Sequence, residues 1–183
     1  MNTPVKSIIS AMFGIAVLTA CGNKQVAQDH HQAATTAAQQ ATDKQASDPK
    51  LKDAVLNAML PYYNRLQQGL VANDMNQAKE AALLLEEGAK QLPQGKEAIQ
   101  QATDQILRAE DIEGQRQAFA NLSEQYISLV KTSGVSEGTL FIAHCPMAFK
   151  SQGANWLSME KSLKNPYFGD KMLSCGTVAE TLD

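Results

Sequence analysis

The sequence predicts a mainly α fold, an up-and-down four-helix bundle with a small C-terminal β and loop cap, and three observations support this. Aromatic residues are scarce at 5% while the apolar share is an ordinary 44%; alanine, glutamine and leucine fill the difference, which favours helices over sheets. From Leu51 to Val130 apolar residues recur at spacings of three and four, the period of one helical face. After Gly138 that period is lost, and short β-branched and turn-rich stretches replace it.

The elements follow in order. Asp48-Pro49 predicts the start of the first helix, because aspartate suits an N-cap and proline the first helical position. Leu51, Val55, Met59, Tyr62, Leu66 and Leu70 form its apolar face, and Pro61 inside that pattern predicts a kink or a break. Asn73-Asp74 caps the second helix. Its narrow stripe of Ala78, Ala81, Leu85, Ala89 and Leu92 lets a neighbour approach closely, and Pro93 and Gly95 end it. A third segment, Lys96 to Ala109, carries Ile99, Ala102, Ile106 and Leu107. The fourth helix places Ile112, Phe119, Leu122, Tyr126, Ile127 and Val130 on one side; Gly114 weakens its first turn and Ser133-Gly134 stops it. Short connections between such helices describe an antiparallel bundle. Arg116 falls beside the fourth stripe, where a salt bridge to a neighbouring helix is expected and anion binding is the alternative. In the cap, Thr139 to Ala143 reads as a strand with Ser174 to Val178 as its partner. Two turn-rich loops, marked by Gln152-Gly153 and Asn165-Pro166, lie between them.

The N-terminus divides from this domain. Residues 1–20 have a short positive start and an apolar run, Ile8 to Leu18, too short to span a bilayer comfortably. Leu18-Thr19-Ala20-Cys21 then resembles the lipobox of bacterial lipoproteins. That resemblance implies cleavage before Cys21 and lipidation of its sulfur and new amino group, so that acyl chains anchor the protein in a lipid bilayer. Gly22 and Asn23, with no aspartate beside the cysteine, imply an outer-membrane lipoprotein facing the periplasm. Residues 21–47 form a polar tether reaching roughly 30 Å as a flexible coil. His30 and His31 lie in it and read as part of a solvated linker. Residues 48–183 are the folded domain. The formal net charge is −3 with no basic patch, so nucleic acid is not an expected partner.

The chemistry concentrates between His144 and Gly176. Cys145, Met147, Met172 and Cys175 are soft sulfur donors, which suit Cu(I) better than hard cations. If the chain is extended, Cys145 and Met147 share a face and His144 points away, joining only where Pro146 or a bulge distorts the strand. Met172 and Cys175, three apart, share a face of one helical turn. Trp156 is expected to pack over such a site and exclude water, and Met159 has no partner that suggests a ligand geometry. The alternative is a disulfide between Cys145 and Cys175, closing a loop of about 30 residues worth roughly 3–4 kcal/mol, with the methionines as core filler. An oxidising compartment favours it.

From Leu51 to the C-terminus the chain also resembles an uncharacterised bacterial envelope domain, found alone and fused to periplasmic adaptor subunits of copper and silver efflux systems. Arg116 with Phe119 and Leu122-Ser123, Cys145-Pro146-Met147 and Trp156-Leu157 carry the resemblance. So do Asn165-Pro166-Tyr167-Phe168-Gly169, Met172 and Cys175-Gly176. It implies an association with copper or silver handling and an efflux or maturation partner. Two readings remain: a lipoprotein binding Cu(I) or Ag(I), or a disulfide-stapled helical adaptor with no metal. Neither is an enzyme. Cys145 and His144 face apart on a strand with no third orienting group, there is no Cys-x-x-Cys, and the glycines form no phosphate loop. A structural zinc site needs more Cys or His ligands than this segment has.

Overall fold

The structure is a computed structural model and describes residues 48–183. The expected signal peptide, Cys21 and the tether with His30 and His31 lie outside the described residues. The fold is mainly α, with two small antiparallel sheets. Four helices, α1 (Ala54–Val71), α2 (Met75–Ala89), α3 (Lys96–Arg108) and α4 (Ile112–Ser133), pack each on the next in chain order. No described helix is long and apolar enough to cross a membrane.

The first helix begins later than Asp48-Pro49. Asp53 is its N-cap, and one carboxylate oxygen accepts from the Val55 and Leu56 N–H groups, both at 2.9 Å. The preceding Lys50–Leu51 is instead a short strand, β1, paired with β2 (Val135–Glu137). Proline's fixed φ suits extended backbone as well as a helical first turn, so Asp48-Pro49 alone cannot separate the two. Pro61 does not break α1. It sits on the exposed side of a helix that runs unbroken from Ala54 to Val71. The buried face is Leu56, Met59, Leu60, Tyr63, Leu66 and Leu70, while Tyr62 is turned outward. Tyr63 goes inside because its hydroxyl finds partners there: it shares a 2.7 Å hydrogen bond with Ser123 Oγ and accepts from the Leu157 N–H at 3.1 Å.

The second helix starts at the expected cap, with Asp74 accepting from Asn76 and Gln77 N–H at 3.0 Å. Its small residues Ala78, Ala81, Ala82 and Ala89 are all buried. Backbone comes closest to backbone at Gly69, where a Cβ would stand 2.9 Å from the Ala78 backbone nitrogen. The third and fourth helices match their predicted stripes, and Gly134 closes α4 at φ +86.

The cap is more ordered than the sequence suggests. β3 (Leu140–Cys145) is the centre of a three-stranded sheet, between β4 (Ala154–Ser158) and β5 (Thr177–Leu182). The expected loop after Gln152-Gly153 is therefore mostly a strand: β4 pairs antiparallel with β3 from Phe141↔Ser158 to Cys145↔Ala154. The other pairing partner also lies further along than Ser174 to Val178, because Met172 to Gly176 is occupied by a turn. Between β3 and β4, Phe149, Lys150 and Ser151 all have positive φ, a left-handed turn that ends at Gly153. β4 packs on α4, joining the sheet to the helices.

Candidate functional site

Cys145 is the last residue of β3 and is fully buried opposite Ala154. Cys175 lies thirty residues on, between a 3-10 turn (Gly169–Met172) and β5, and is half-buried. The fold places the two sulfurs 3.4 Å apart, close enough for one thiol to donate to the other. Both are free thiols. The neighbouring Cys145 thiol raises the Cys175 pKa above its ordinary value, and burial adds to that. Cys175 therefore stays protonated at neutral pH.

Close backbone approach makes this contact possible. Gly176, at φ +135, could carry no side chain: a Cβ would stand 2.9 Å from the edge of Trp156 and 3.0 Å from the His144 carbonyl oxygen. Trp156 is thus the floor under the Cys175-Gly176 turn, fully buried, with its ring edge-on to Tyr167 at 5.8 Å. In the carboxamide orientation that satisfies its neighbours, Gln67 accepts from Trp156 Nε1 at 3.2 Å and donates to the Leu157 carbonyl at 3.1 Å.

The other expected donors stand differently. β3 ends at Cys145 and Met147 has helical dihedrals, so an extended segment sharing one face does not reach Met147. Its side chain is 49% exposed at the rim. Met172 ends the 3-10 turn, and its carbonyl accepts from the Cys175 N–H at 3.0 Å, so the two are joined by one tight turn as their spacing predicts. His144 is turned to the neighbouring strand, where Nδ1 lies 2.8 Å from Asn155 Oδ1. Its ring covers Gly153, where a Cβ would lie 2.8 Å from Cε1. Met159 is half-buried beside a shallow hollow lined by Gln67, Gln68 and Lys164. Among the described residues no three His, Cys, Asp or Glu side chains group to hold a metal.

Sequence reasoning misplaced one partner and missed a network. Arg116 is 1% exposed and forms its ion pair within its own helix, to Glu113 at 2.8 Å, rather than with a neighbouring helix. Its remaining N–H groups reach the Pro166 carbonyl at 2.9 Å, the Leu70 carbonyl at 3.2 Å and Asn73 Oδ1 at 2.8 Å. It thereby joins α4, the end of α1 and the loop that leads to Cys175. Asn165 and Tyr167 complete this network. The motif Asn165-Pro166-Tyr167-Phe168-Gly169 signals a turn, but no periodicity shows what the turn holds.

Residues 59–138 match the model of a family described as a protein of unknown function (DUF3347). The matched span runs from within α1 to just before β3, so Cys145 and Cys175 lie outside it. No curated protein and no solved structure matches the chain.

Proposed function

We propose that this chain binds a soft monovalent ion, Cu(I) or Ag(I), at the Cys145–Cys175 pair and buffers it or passes it to an efflux or maturation partner. Cys145 and Cys175 supply thiolates, and Met147 and Met172 thioethers. The observation that carries this reading is the 3.4 Å approach of two free thiols. Two metal–sulfur bonds of about 2.3 Å can span up to about 4.6 Å, so the pair fits one bridging ion. Soft donors of this type select Cu(I) and disfavour hard cations. Trp156 closes the floor against water, and the half-exposed Cys175 and exposed Met147 leave a side open to incoming metal. His144, held by Asn155, faces the neighbouring strand and stands as a peripheral member of the set.

In this reading the up-and-down arrangement of the four helices is a scaffold. The protein is an outer-membrane lipoprotein anchored through Cys21 and facing the periplasm. It is neither an enzyme nor a nucleic-acid binder. The same 3.4 Å contact, with Cys145 fully buried, also supports the rival reading, a disulfide-stapled adaptor without metal.

The test is an anaerobic Cu(I) titration of the reduced full chain against a chromophoric chelator, beside Cys145→Ser, Cys175→Ser and Met172→Leu. The expected result is one tight equivalent, weakened by more than a hundredfold in either serine variant and by about tenfold in Met172→Leu. Failure of the reduced protein to compete, with a quantitative disulfide in protein taken from the envelope, leaves the staple as the answer.

A further inference from the structure

Asn165 is fully buried and uses every polar group it has within its own loop. Its N–H donates to the Leu173 carbonyl at 2.7 Å, and its own carbonyl accepts from the Gly169 N–H at 3.0 Å. Its Oδ1 accepts from the Tyr167 N–H at 2.8 Å, and its Nδ2 donates to the Cys175 carbonyl at 2.7 Å. One residue therefore ties both ends of the loop that carries Met172 and Cys175. The loop is in turn fixed to its surroundings. Arg116 Nε holds the Pro166 carbonyl at 2.9 Å, and the Tyr167 hydroxyl donates to the Asn155 carbonyl on β4. β4 is the strand whose Ala154 pairs with Cys145. Both thiols are thus registered to one strand, Cys145 through the β3–β4 ladder and Cys175 through the Asn165 loop.

We propose that Asn165 is the positioning residue of the thiol pair, its carboxamide setting the place of Cys175 against Cys145. Asn165→Asp probes this at nearly constant shape. Ionised, it keeps an oxygen for the Tyr167 N–H and replaces the donor toward the Cys175 carbonyl with a second oxygen, so two acceptors face each other, while Asn165→Ala removes the donor at any charge state. Cys175 then moves away from Cys145. The inference rests on these two thiols being the working pair of the proposed site. Its test contains no metal, so loss of this proposal and loss of the copper reading are told apart.

The full chain is equilibrated anaerobically with mixtures of glutathione and glutathione disulfide, and the fraction oxidised is read by thiol labelling. In this exchange the two cysteines give two protons and two electrons to glutathione disulfide, forming one protein S–S bond and two glutathione thiols. The equilibrium constant measures how closely the fold holds its sulfurs. The expected result is a constant at least tenfold lower in Asn165→Asp and in Asn165→Ala. Tyr167→Phe, which loses only the hydroxyl's hold on β4, should lower it a few-fold and keeps the test open if the Asn165 variants do not fold. Leu85→Ala serves as control: it empties core in α2, makes none of these bonds, and should lower Tm while leaving the constant within twofold. An unchanged constant in the Asn165 and Tyr167 variants would overturn the proposal. A fall no greater than that of Leu85→Ala, or a wild-type chain that forms no internal disulfide, would do the same.

Discussion

A guanidinium with 1% exposure is tolerated in a core only when its N–H groups find acceptors, and Arg116 finds carbonyls from segments far apart in the chain. Its carboxylate partner, Glu113, is 61% exposed, so the ion pair itself contributes little beyond solvent screening. The carbonyl bonds dominate. Arg116→Ala should therefore lower stability by about 3 kcal/mol or more, and Arg116→Lys should recover only a small part, because an ammonium cannot fork between Pro166 and Leu70. Glu113→Gln should change it by less than about 1 kcal/mol. Urea unfolding of the three variants reads this directly, and an Arg116→Ala loss as small as that of Glu113→Gln would contradict it. The sequence marks Arg116 as a polar residue beside an apolar stripe. It does not show the acceptors, since backbone carbonyls have no residue signature.

At the scale of elements, close helix approach makes two glycines differ in kind. A Cβ on Gly69 would meet Ala78 backbone at 2.9 Å, whereas one on Gly88 would meet the Met59 side chain at 2.7 Å. Backbone cannot yield and a methionine can. Gly69→Ala should thus lose about 1–3 kcal/mol to overpacking even though alanine favours a helix interior by about 1 kcal/mol, while Gly88→Ala should lose clearly less. Thermal unfolding of the pair checks the order, and equal losses would contradict it. The α1/α2 approach was legible because small residues at helical spacing mean a narrow stripe. The helix cap at Asp74 and the stop at Gly134 were legible because each depends on a local rule, whereas the Asp111 cap of the fourth helix was not picked out. What escaped the sequence depends on distant pairing. Lys50–Leu51 is extended because Val135–Glu137 is there to receive it, and β4 is a strand because β3 offers an edge. Ala154-Asn155-Trp156-Leu157-Ser158 is short and its polar residues, Asn155 and Ser158, do not alternate with apolar ones, so its own residues give no strand period. Likewise, the Cys-Pro-Met and Met-x-x-Cys spacings mark the sulfur-bearing residues but not the distance between the two thiols, which three strands and the Asn165 loop set together.

For the whole molecule, buried tyrosines make stability depend on pH in one direction. Burial raises the pKa of Tyr63, Tyr126 and Tyr167 above the ordinary phenol value. Tyr63 and Tyr126 stack at 4.9 Å, Tyr126 donates to the Leu56 carbonyl at 2.6 Å between two helices, and the Tyr63 and Tyr167 hydroxyls bond backbone groups of β4. A raised folded pKa means that this contribution is complete below about pH 10 and is lost as pH rises, since the unfolded chain ionises while the folded one does not. The slope approaches about 1.4 kcal/mol per pH unit for each tyrosine, or about 4 for three. Urea midpoints should therefore fall steeply above pH 10, with tyrosinate absorbance appearing as the protein unfolds. Tyrosinate from these rings in a still-folded protein would contradict the packing.

The central claim is that Cys145 and Cys175 form the heart of a sulfur-dominated site for a soft ion. The most direct measurement is X-ray absorption at the copper edge on the reduced full chain loaded with one equivalent of Cu(I), with Met172→Leu alongside. The account predicts a first shell dominated by sulfur in the wild type, with at most the His144 nitrogen beside it and fewer sulfur scatterers in the variant. A shell of nitrogen or oxygen, or copper that washes away before the spectrum is taken, would contradict it.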